Sequence, residues 1–134
     1  MSISNWFFRL AVVSALIGVS WGVWMGASHD HLTSPAHAHL NLLGWVSMAI
    51  FAFFYRAFPK AAAGLMAKIH LAVAVLGLLI FIPSLALMLA QVPGTAGLSQ
   101  IGLIVGPLLT WLSMAIFTVI VLLTVGKREA AAAA

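Results

Sequence analysis

Four stretches of this chain, residues 6–26, 36–58, 70–89 and 99–125, carry no more than one charged side chain each. Each is as long as the about 20 apolar residues that cross a bilayer. This pattern excludes a water-soluble fold, because six Lys/Arg and two Asp/Glu among 134 residues, 6% charged in all, cannot cover a surface exposed to water. Soluble domains carry about 25% charge. The expectation is an all-α integral membrane four-helix bundle forming a single domain over residues 1–129, followed by an alanine tail at 130–134. The first apolar run is long enough to span, and no Ala-x-Ala cleavage site follows it, so it reads as a retained helix and not a signal peptide.

The breaks between the runs carry turn residues. His29-Asp30-His31 with Thr33-Ser34-Pro35 separates the first two, Pro59-Lys60 with Gly64 the middle two, and Pro93-Gly94-Thr95 the last two. Pro35 suits the first turn of a helix, where its missing N–H has no intrahelical partner to lose. Pro83 and Pro107 fall inside predicted spans, where membrane helices tolerate them. Arg9, Arg56, Lys60, Lys68, Lys127 and Arg128 all fall on one side of an alternating four-span path, and the other side carries Asp30 and no Lys or Arg. The positive-inside rule then places both termini in the cytoplasm of a bacterial-type inner membrane, and four of the five histidines at the outer face.

The bases stand apart at the ends of apolar runs, so nothing tracks a phosphate backbone and no nucleic-acid partner is expected. With no cysteine in the chain, disulfides, thiolate metal sites, c-type haem attachment and cysteine nucleophiles are all excluded. Cofactor chemistry has to rest on histidine, methionine or a few oxygen atoms.

His29, His31, His37 and His39 lie within eleven residues. Ionisable groups at membrane depth are expensive and mark function by default. On a helix, His37 and His39 diverge by about 200°, so they cannot grip one small ion together as an i, i+4 pair can. One imidazole on each side suits two flanking cofactors, or one cofactor and one structural contact. Asn41, Gly44 and Met48 continue the His37 side, where Gly44 offers close backbone approach to a flat macrocycle. Leu43, Val46 and Ile50 continue the His39 side as an apolar wall. Neutral imidazole is a common haem-iron ligand. The plainer alternatives are that His29 and His31 hydrogen-bond to headgroups or water, and that His37 and His39 cross-link helices. His70, beside Lys68 at the inner interface, reads as structural. The five tryptophans include belt positions, and Met48, Met66, Met88 and Met114 are too dispersed for a copper relay and read as packing.

The run from Ser34 through His37-Ala-His39 to Tyr55, Phe58 and Pro59 resembles the histidine-bearing helices of the catalytic subunit of haem-copper oxidases and nitric oxide reductases. There, a His-x-His helix ligates two haems from opposite faces. The resemblance covers 26 of the 134 residues, and it implies that His37 and His39 take haem-ligand positions, with haem b as the cofactor. That subunit has twelve helices in three four-helix arcs with the ligand helix second in each arc. The resemblance therefore implies a homotrimer of this chain, with haem between neighbouring copies. The departures are specific. There is no His-His pair, the sole tyrosine, Tyr55, lies at the other end, and no acid lies within the spans. These argue against four-electron oxygen reduction and leave haem binding for electron transfer, with a respiratory-chain donor or acceptor, or for holding a diatomic gas.

Two other readings stay open. A copper or zinc ion can be held at the outer face by His29, Asp30 and His31 with help from His37, since a loop His-x-His can wrap one ion. Alternatively the chain is a cofactor-free accessory subunit of a respiratory complex.

Overall fold

The computed structural model describes residues 2–132, with side chains through Gly126, and the described residues form helices without strands. Helix α1 spans Ile3–Ser28, α2 Ser34–Ala57, α3 Leu65–Leu89 and α4 Ala96–Ala132. All four are long and apolar enough to cross a membrane. The first begins three residues ahead of the expected span, because the Ser2 side chain caps it by accepting the Asn5 amide. The last runs through Ala132 because nothing after Val125 stops it: alanine is the best helix former. Residues 130–132 of the expected tail are thus helical, and 133–134 lie outside the described residues.

Local chemistry sets the other ends. Pro59 drives Phe58 out of the helical region, to φ −124° and ψ 71°, which ends α2 at Ala57. One helical turn, Pro59–Ala62, then leads into α3. His29 closes α1 in the left-handed region at φ 56°. The following loop is pinned by Leu32 N–H to Asp30 Oδ1 at 3.0 Å and by Trp21 Nε1–H to Thr33 Oγ1 at 3.1 Å. Within α2, Leu40–Ser47 is π-helical and lies directly after His39.

The helices pack as two pairs, each along a seam of small residues. Between α1 and α2, Ser14 faces Gly44, Gly18 faces Asn41 and Gly22 faces His37, and Ser4 Oγ–H donates to Ala52 O at 2.9 Å. Between α3 and α4, Gly77 faces Thr110, Phe81 faces Gly106 and Ser84 faces Gly102. With no hydrophobic driving force between helices in lipid, close backbone approach at small residues supplies the van der Waals contact that holds them. The pairs are joined by an aromatic cluster, in which Phe7 of α1, Phe51 and Tyr55 of α2, His70 of α3 and Phe117 of α4 pack ring against ring. Between the pairs, a void lined by Leu43, Met48, Ala74, Thr110 and Ser113 measures about 10 Å³, room for a single water at most. Along the spans the outer surface is mostly apolar, with Leu16 70% and Trp111 69% exposed.

Candidate functional site

The His-x-His segment occupies the first turn and a half of α2, started by Pro35, and the two imidazoles diverge as the helical period requires. His37 lies in the α1–α2 groove, where a Cβ at Gly22 would stand 3.0 Å from its Cε1, and the Trp21 ring meets it edge-on with centroids 6.4 Å apart. Asn41, one turn on, donates Nδ2–H to the His37 carbonyl at 3.0 Å and sits 3.4 Å from both ring nitrogens. That equal spacing puts the amide over the ring face. It orients His37, and Gly18 of α1 leaves room for it.

His39 points the other way, toward α3, with its ring edge-on to Phe81 at 5.1 Å. Its Nδ1 is 2.7 Å from the Pro35 carbonyl oxygen. A carbonyl only accepts, so Nδ1 carries the proton and Nε2 keeps its lone pair. A metal-ligating histidine is normally fixed in this way, its second ring N–H held by a backbone carbonyl or carboxylate. The helical spacing places Pro35 and His39 one turn apart, so the bond follows from the sequence Pro35-Ala-His37-Ala-His39 itself.

The His37 face continues as the helical period requires, with Asn41 against Gly18 and Gly44 against Ser14 of α1. Gly44 is buried against Ser14 of the same chain, so its missing side chain serves helix packing and opens no slot toward a flat ligand. The apolar wall expected from Leu43, Val46 and Ile50 is divided. Leu43 lines the central void, whereas Val46 and Ile50 face outward. π-Helical turns recur at functional sites, and this one begins at the residue after His39.

His29 and His31 are exposed in the loop. Among the described residues no three His, Asp or Glu side chains come together to hold an ion, so the expected His29, Asp30, His31 and His37 set is not assembled here.

At the opposite end the structure reveals a polar pair of another kind. His70 is 0% and Tyr55 1% exposed, so His70 belongs to the core and not to the interface beside Lys68. Its Nδ1 is 2.9 Å from Tyr55 Oη, while its Nε2 is buried with no hydrogen-bond partner among Phe7, Phe51 and Phe117. Tyr55 lies near the end of α2 and His70 near the start of α3, on either side of the Pro59–Ala62 turn, and a helical hairpin brings such positions together. Their place flanking the Pro59-Lys60 break was the available signal. Tyr55→Phe alone should cost about 1–3 kcal/mol, because it strips His70 of its remaining partner, while adding His70→Phe should recover most of the loss. Unfolding in mixed micelles measures both, and simple additivity of the two losses would contradict this coupling.

No family model matches the sequence, and comparison with curated proteins and with solved structures finds no match either.

Proposed function

We propose that this chain is a haem-binding membrane protein of the b-type cytochrome kind, in which His39 would hold the haem iron. One observation carries this reading: the Pro35 carbonyl holds the His39 Nδ1 proton, leaving Nε2 as a free lone pair on a half-buried ring at the edge of the bundle. The donor chemistry fits haem iron, which takes neutral imidazole nitrogen. The bound group would supply one-electron redox chemistry or a position for a diatomic gas. The chain's own residues fix the ligand: Pro35 sets the tautomer, and Phe81 limits ring rotation. The void between the helix pairs lined by Leu43, Met48 and Thr110 admits a single water at most. A macrocycle therefore belongs on the outer apolar surface, where Leu42 and Val46 are exposed, covered by a second copy.

In a homotrimer, a closed cyclic assembly, His39 of one copy and His37 of the next would hold the haem between them. In this reading both termini are cytoplasmic, the histidines face the outside of a bacterial-type inner membrane, and a respiratory-chain protein exchanges electrons. The arrangement favours haem over a copper or zinc ion, since the outer histidines and Asp30 do not converge. Protein purified from haem-replete cells in mild detergent should carry iron and extractable haem in fixed ratio to chain, in a particle of three copies. Copper or zinc without iron would refute the assignment, and a monomer retaining haem would refute the shared site.

A further inference from the structure

A cavity of about 480 Å³ opens at the end of the bundle opposite the His-x-His segment. Arg56 at the end of α2, Lys68 in the first turn of α3 and the Ser2–Asn5 turn that starts α1 line it, with Tyr55 also in its wall. Three different helices thus converge on one space, and each brings something that favours negative charge. Arg56 and Lys68 are cations. The first amides of a helix have no intrahelical acceptors, and the helix dipole adds partial positive charge at the same point. Among the residues whose side chains are described, the one carboxylate is Asp30, at the far end of α1. Neither cation is neutralised from within the described fold.

Tyr55 is the independent feature of this cavity, because it is an almost fully buried polar side chain that also lines the space. Its oxygen is hydrogen-bonded to His70 Nδ1. When His70 donates that proton, the partnerless Nε2 is a bare lone pair and not an orphaned N–H donor. An orphaned buried N–H is the rarer and costlier of the two states.

We propose that this cavity binds a phosphate anion, held by Arg56, Lys68 and the start of α1. Its position at the end of four membrane-length helices, with Ile3, Pro59 and Ala62 also in the wall, makes an anionic phospholipid headgroup the main source. Basic pockets between spanning helices bind such headgroups. This site does not depend on the haem reading, because it uses none of the residues at the other end.

The test is binding of phosphatidylglycerol, phosphatidylcholine and inorganic phosphate to the full delipidated chain in detergent, followed by native mass spectrometry and thermal unfolding. Phosphatidylglycerol should be retained at least about tenfold better than phosphatidylcholine. Arg56→Gln and Lys68→Gln should each weaken it by about fivefold, while Lys60→Gln, at the same end but outside the cavity, should leave it unchanged. All three side chains are exposed, so the variants fold. Inorganic phosphate that binds at millimolar concentration and displaces the lipid supports the same site. Saturable phosphate binding with no added gain from the lipid would identify free phosphate as the source. Equal retention of the two lipids, or loss of selectivity in Lys60→Gln as large as in Lys68→Gln, would overturn the site.

Discussion

Substituting His39 by alanine should abolish haem retention, lowering affinity on the order of 100-fold or more, since the loss of even an outer partner of a metal ligand costs about 10–100-fold. His39 has its Nδ1 proton committed to Pro35 and its Nε2 lone pair uncommitted, whereas the His37 ring is lodged against Gly22 under the Asn41 amide. His37→Ala should also abolish the bis-imidazole band, as the ligand from the neighbouring copy, and should in addition weaken α1–α2 packing. Titrating haem into apoprotein of each variant, with unfolding measured in parallel, separates the two effects. If His39→Ala left haem bound, the ligand assignment would fail.

The second large effect should come from Gly106→Leu. A Cβ built at Gly106 lies 2.6 Å from Cα and 2.7 Å from the backbone nitrogen of Phe81. Relief thus requires the helix axes to separate and not a rotamer change. Because α4 is held chiefly along this one seam with α3, the substitution should destabilise the bundle by about 3 kcal/mol, the upper end of the usual range for overpacking. Gly97→Ala, where nothing lies within 4 Å of the new atom, should be neutral or slightly stabilising. Unfolding of both variants by SDS in mixed micelles checks the pair. Equal stability of Gly106→Leu and the parent would show that α4 packs elsewhere.

The existence of four spans and the breaks between them were readable from the sequence because they depend on local terms, while α1, α3 and α4 each begin three to five residues ahead of the apolar run. Apolar length set the helices, and the bias of Pro59 on Phe58 ended α2. The divergence of His37 and His39 was readable too, since it follows from helical period alone. The seams were partly readable. Ser14, Gly18, Gly22 and Gly26 recur every four residues, as do Gly102 and Gly106, a spacing that marks close helix packing in membranes. Which residue each glycine would meet depends on the facing helix and has no local signature. The π-helical segment Leu40–Ser47 belongs to the same class, because its composition is that of an ordinary apolar helix. Gly44, expected to offer a slot to a ligand, packs on Ser14 because the His37 side of α2 is the side turned to α1. His70 was misplaced for a related reason: its neighbour Lys68 points to the interface, while the helix turns His70 inward onto Phe7, Phe51 and Phe117.

The central claim is that His37 and His39 of this apolar bundle hold haem. A visible absorption spectrum of the purified protein, oxidised and then reduced with dithionite, tests it most directly. The account predicts a Soret band that shifts on reduction, with the sharp α-band of bis-imidazole haem, in protein from haem-replete cells. Folded protein that is colourless in both states would contradict it.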